Sequence, residues 1–167
     1  MAAILRALVA ILALAWLTTA TPASAITLAQ LRADLKLTPE RLMKYFAGFK
    51  FKLGDTVQMP DSFLASQSGD CDDFATLAAD LLREKGYHTR LVVVHMTNDT
   101  HVVCYVAEAH AYLDFNRRRA TEPLMPSDGK LADIAASVAK SFRSQWRTAS
   151  EFSFRNGERQ FLDTEFH

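Results

Sequence analysis

The chain has 167 residues, with 19 basic and 19 acidic side chains and a formal net charge of +0. That length fits one domain with a core of its own. The balanced charge gives no general attraction to nucleic acid or to an anionic membrane surface, so nucleic acid is not expected among its partners.

The first residues read as a targeting segment. Arg6 is followed by the apolar run Ala7 to Leu17 and by Thr21-Pro22-Ala23-Ser24-Ala25, a small-x-small cleavage signal. Such a run is short for a bilayer span and has the flanks of a removable leader. The expectation is a signal peptide over 1–25 and a single domain over 26–167, periplasmic or secreted, with no stable membrane insertion after cleavage. Export brings an oxidising compartment, so a Cys71–Cys104 disulfide has to be weighed.

Ile26 to Leu35 reads as a short amphipathic helix. Thr38-Pro39-Glu40 is a helix start, with Thr38 as N-cap and Pro39 at the first helical position, running to about Phe46. Residues 49–60 read as irregular or partly extended, and Pro60 to Ser66 as one or two helical turns that Gly69 breaks. From Asp70 the pattern is strongly helical. Asp70 can cap, Asp72 and Asp73 favour the dipole of the first turn, and Phe74, Ala75, Ala78, Leu81 and Leu82 recur at helical spacing up to Gly86. Cys71 falls on that same inward face. Leu91 to Met96 and His101 to Val106 read as a hairpin around Asn98-Asp99, and Ala111 to Phe115 as a third strand. A polar loop through Arg117-Arg118-Arg119 leads to a helix over Leu131 to Phe142. Asn156-Gly157 marks a last hairpin.

A cysteine nucleophile needs a thiolate, a nearby imidazole and a group to orient that imidazole. Cys71 lies at a helix N-terminus, which stabilises negative charge, although Asp70, Asp72 and Asp73 oppose it. Of His88, His95, His101, His110 and His167, strand alternation favours His101. Pairing Met96 with His101 puts His101, Val103 and Tyr105 on one face and His95, Val102, Cys104 and Val106 on the other. A helix packed on the His101 face would bring Cys71 to His101 and leave Cys104 behind the sheet, beyond disulfide geometry. Asp114 has the parity to orient His101, with Asn116 a second candidate. Arg117-Arg118-Arg119 reads as a solvated loop or a cationic rim.

Gly69-Asp70-Cys71-Asp72-Asp73-Phe74-Ala75, Leu81 to Gly86, His101-Val102-Val103 and Leu113-Asp114 together resemble the core of the transglutaminase-like superfamily. More narrowly they resemble the bacterial transglutaminase-like cysteine peptidases, over roughly residues 38 to 162. The resemblance implies an α+β, papain/transglutaminase-like fold in which N-terminal helices precede a Cys-bearing helix packed on an antiparallel sheet. It implies catalysis by Cys71, His101 and Asp114 on a protein or peptide substrate; a monomer with no required cofactor is expected beside it. Relatives often carry an aromatic residue near position 57, where this chain has Val57. Gln58 and Gln67 are therefore the side-chain candidates for the oxyanion site. In one branch the acidic residues beside the nucleophile bind calcium, which extends a calcium option to Asp70, Asp72 and Asp73 beside their capping role. The expected function is an exported cysteine peptidase or amidase, cleaving or transferring an acyl group. The alternative is a weakly active or inactive binding module of the cell envelope.

Overall fold

A computed structural model describes residues 25–167. The signal-peptide reading, Ala25 aside, lies outside the described residues. Two short helices open the fold: α1, Leu28–Ala33, with a capping box between Thr27 and Gln30, and α2, Pro39–Tyr45, capped by the Thr38 side chain. Strand β1, Lys50–Phe51, pairs in parallel with β2, Ser68–Gly69, on the far side of helix α3, Pro60–Ser66. Helix α4, Cys71–Glu84, follows at once. Then come β3, Thr89–Met96; β4, Thr100–Val106; β5, Ala111–Leu113; a 3₁₀ turn at Phe115–Arg117; and β6, Leu124–Pro126. Helix α5, Leu131–Ser141, and the hairpin β7, Trp146–Arg155, with β8, Glu158–Phe166, complete the chain.

The main sheet has the order β6-β5-β4-β3-β7-β8, and every neighbouring pair is antiparallel. The Asn156-Gly157 turn has positive φ at both residues, 54° and 81°, which matches the twist of the strands it joins. Leu91 to Val94 in β3 are all buried, because the sheet is covered on both faces. One face carries α4 with Leu91, Val93, Val102, Cys104 and Val106; the other carries α5 with Val92, Val94, Val103, Tyr105 and Ala149. Among the described residues no helix is long and apolar enough to cross a membrane.

Three expectations need correction. The β3–β4 pairing sets Val94 opposite His101 and His95 opposite Thr100, so the turn falls at Thr97-Asn98 rather than Asn98-Asp99. A two-residue slip leaves each side chain on its expected face. The Cys-bearing helix, however, covers the Cys104 face and not the His101 face. Finally, Gly69 does not end α3, which stops at Gln67 in a left-handed conformation of φ 48°. Gly69 is required instead by close approach: a Cβ there would lie 2.3 Å from Asp73 Oδ2 and 2.7 Å from the Phe63 ring.

An aromatic cluster ties the site-bearing segments together. Phe46 packs on Phe49, Phe63 and Phe74 with centroids 4.6, 5.6 and 5.0 Å away. Phe74 of α4 in turn stacks on Phe115 at 5.4 Å. That contact anchors the residue after Asp114 directly to the helix that begins at Cys71.

Candidate active site

The N-terminus of α4 is held by its own aspartates. Asp70 Oδ1 accepts from the Asp72 and Asp73 N–H groups, and Asp73 Oδ2 accepts from the Asp70 N–H, completing a capping box. The second Asp70 oxygen accepts from Gly54 N at 3.0 Å, and Asp73 Oδ1 from Gln58 N at 2.6 Å. The loop preceding α3 is thus bolted to the helix start. Cys71 occupies the first helical position, whose N–H has no acceptor within the helix. Its side chain is largely buried, with Sγ 3.9 Å from Asp72 Oδ1.

His101 and Asp114 form a buried pair. The imidazole Nε2 lies 2.8 Å from Asp114 Oδ1, and both side chains are almost fully covered, at 3% and 2% exposure. Asp114 Oδ1 also accepts from Asn116 N at 2.8 Å, which fixes the carboxylate at the start of the 3₁₀ turn. Asn116 contributes this backbone group; its side chain is exposed. Cys71 lies close enough to the imidazole to help raise its pKa. Strand β5 pairs with β4 only from Cys104 to Val106, so no strand flanks His101 on that edge. The meeting of Cys71 and His101 therefore takes place at the end of the sheet. Phe142, just past α5, lies against the imidazole at 4.9 Å between ring centroids.

Burial alone would pull the His101 pKa down. The Asp114 hydrogen bond and the Cys71 contact outweigh it and raise the pKa from its ordinary 6.5 to about 10. The folded chain therefore holds this proton more tightly than the unfolded chain does. The stability it contributes is complete below 6.5 and is lost as pH rises through about 10. The thermal midpoint should accordingly fall between neutral pH and pH 10 in the native protein. The His101→Gln variant, which lacks the group, should show a flatter profile over the same series of melts.

Cys104 lies deeper than Cys71. It is fully buried, and burial pushes its thiol up to about 12. Both cysteines are free. The reason they do not pair is not the one strand parity suggested, since both border the same core. Cys104 lies near Asp80 and Arg83, far along α4, where a rise of about 1.5 Å per residue takes it well beyond disulfide reach of Cys71.

The remaining candidates divide. Gln58 Nε2 donates to Ser68 O at 3.1 Å and to Asp73 Oδ2 at 2.7 Å, so its amide serves the cap and has no hydrogen left for an oxyanion. Gln67 is the left-handed residue that ends α3, and its carbonyl accepts from Lys50 N. Asp70 and Asp73 accept N–H groups of the cap and of the loop before α3, and Asp72 Oδ2 is gripped by the Arg159 guanidinium. Among the described residues no group of three or more His, Cys, Asp or Glu side chains is arranged to hold a metal ion. Arg118 and Arg119 donate to the carbonyls of Phe49 and Ala47, so this basic run ties loops together and is not a free cationic rim. Arg159 was absent from the sequence-based site. A pairing across 87 residues leaves no local signal except a guanidinium beside the Asn156-Gly157 turn. A groove of about 590 Å³ also runs beside α4, past Gln58, Asp73, Leu77, Phe152 and Leu162, but Cys71 does not line it.

The family profile described as the transglutaminase-like superfamily matches residues 34–119, more than half of the chain and the span that holds Cys71, His101 and Asp114. The chain belongs to the transglutaminase-like superfamily. Legionella pneumophila LapG, solved in a calcium-bound form, shares the fold at a TM-score of 0.50 and 17% identity, over 78% of this chain and 74% of LapG. A candidate cysteine protease from Cytophaga hutchinsonii aligns at a TM-score of 0.39 and 16% identity, over 88% of this chain and 53% of its own. No curated protein matches the sequence. Within the superfamily fold, the antiparallel sheet and the capped helix on one of its faces are the expected architecture, reached here with the helix on the face opposite to that expected.

Proposed function

We propose that this transglutaminase-like chain is an exported thiol hydrolase of peptide or amide bonds, with Cys71 as nucleophile, His101 as its acid–base partner and Asp114 as the orienting carboxylate. The observation that carries the reading is the buried 2.8 Å pair of His101 Nε2 and Asp114 Oδ1, with Cys71 close enough to raise the pKa of the same imidazole. That order lets the imidazolium stabilise a thiolate and then act on the leaving group. Cys71 Sγ attacks the carbonyl carbon, and the tetrahedral oxygen can take the unused Cys71 N–H at the helix start. Collapse breaks the C–N bond as His101 delivers its proton to the departing amine, leaving a thioester. His101 then takes a proton from water, whose oxygen displaces Cys71; an amine in place of water gives transfer.

A protein or peptide substrate, a monomeric state, export and independence of any cofactor belong to the same proposal. The calcium option at Asp70, Asp72 and Asp73 rests on the calcium-bound form of LapG, and no step here runs through it. The second reading, an inactive binding module, is favoured by Gln58, whose amide is engaged with Asp73 and supplies no second oxyanion donor.

Iodoacetamide footprinting with mass spectrometry separates the two. Cys71 should alkylate well above the rate of a model thiol, Cys104 should stay unmodified, and Cys71→Ala should remove labelling and all turnover of a fluorogenic peptide-amide mixture at nearly unchanged thermal midpoint. Equal alkylation of both cysteines at a model-thiol rate would sink the enzyme and leave the binding module.

A further inference from the structure

Asp72 follows the proposed nucleophile directly, and its carboxylate is held from the far end of the chain. Arg159 Nη2 donates to Asp72 Oδ2, while Asp72 Oδ1 lies 3.9 Å from Cys71 Sγ. The guanidinium reaches this point because β7 and β8 set Arg159 opposite Phe154 and because it lies over the Phe152 ring at 5.0 Å. The other two aspartates need no such partner. Asp70 is satisfied by helix and loop N–H groups, and Asp73 by N–H groups and the Gln58 amide. Among the described residues, Asp72 is the one member of the acidic run that forms a salt bridge. Were Arg159 absent, a partly exposed carboxylate would face the thiol and its incoming reactant without a counter-charge.

We infer that Arg159 is a positioning residue for the Cys71 site: it pins the Asp72 carboxylate and neutralises the mouth of the site, so that substrates bearing a negative charge beside the scissile bond are not repelled. This deepens the hydrolase reading above and rests on Cys71 being the attacking atom. It also accounts for a nucleophile set among three aspartates. Two are turned into helix caps, and the third is matched by a cation supplied across 87 residues of sequence.

Two alkylating reagents of the same size test it on the full chain. Iodoacetamide is neutral and iodoacetate anionic; each forms an S–C bond at Cys71 and releases iodide. At one fixed pH, the ratio of the iodoacetate to the iodoacetamide rate reports the local charge, free of general access. Arg159→Gln should lower this ratio roughly threefold or more, the scale of one partly screened ion pair. Arg159→Lys should stay near the native ratio, and the double variant Asp72→Asn/Arg159→Gln should return to it. An unchanged ratio in Arg159→Gln, or a ratio that the double variant fails to restore, would overturn the inference. If native Cys71 reacts no faster than a model thiol while the ratio still moves with Arg159, the hydrolase reading falls and the role of Arg159 in setting local charge stands.

Discussion

Exchange of His101 for Gln is expected to lower turnover by about two to four orders of magnitude, the usual contribution of a positioned acid–base group. In the proposed mechanism the thiol would lose its proton acceptor and the amine its donor. A second effect should accompany the first. Asp114 is buried, and its partners are the imidazole and one backbone N–H from Asn116. Removing the imidazolium leaves an uncompensated carboxylate, a change that costs about 3–5 kcal/mol in buried ion pairs. Urea denaturation should register that loss in His101→Gln. It should be partly relieved in His101→Gln/Asp114→Asn, where the buried charge is gone, while turnover stays low. Recovery of turnover in the double variant would remove His101 from the chemistry.

Gly69→Ala should be the most disruptive small change near the site. The backbone there is ordinary, so the obstacle is contact: the new methyl would press on Asp73 Oδ2 and on the Phe63 ring. Neither can withdraw easily. Asp73 Oδ2 is held by Asp70 N at 3.0 Å and Gln58 Nε2 at 2.7 Å, and Phe63 packs against Phe46 and Phe49. Overpacking of this kind costs about 1–3 kcal/mol, and breaking the capping box would add about 1 kcal/mol more. Gly48→Ala, where a Cβ meets nothing within 4 Å, is the matched control. A urea midpoint for Gly69→Ala equal to that of Gly48→Ala would contradict the steric account.

Much of this was legible in the sequence because it is local. Thr38-Pro39, the Asp70 cap, and Asn156-Gly157 each specify their geometry within four residues, and each appears as read; the part Asp73 plays in that cap was not read. Cys71, His101 and Asp114 were read as a set from the family resemblance; the structure pairs His101 with Asp114 and sets Cys71 near that imidazole. What failed was any question of which side. Alternation separates two faces but does not say which one a helix covers, and in β3 the run Leu91 to Val94 is buried on both faces and carries no periodic signal. The role of Gly69 was hidden for a related reason: crowding by Asp73 and Phe63 comes from packing, and a glycine after a helix reads first as a stop. Gln58 and Arg159 exchanged importance, since hydrogen bonds across 15 and 87 residues decided both.

The place of β7 in the sheet bears on how this protein could be divided. The stretch that matches the superfamily profile stops at residue 119, yet β7 pairs along β3 from Leu91 to Met96 and carries β8 on its outer side. A fragment cut at that boundary would keep Cys71, His101 and Asp114 in its sequence. It would also bare one edge of its most apolar strand and lose α5, which covers Val92 and Val94. The matched span thus holds the candidate site residues without a free-standing scaffold. Grafting or trimming experiments would have to carry the last 48 residues along, although the superfamily profile does not match them.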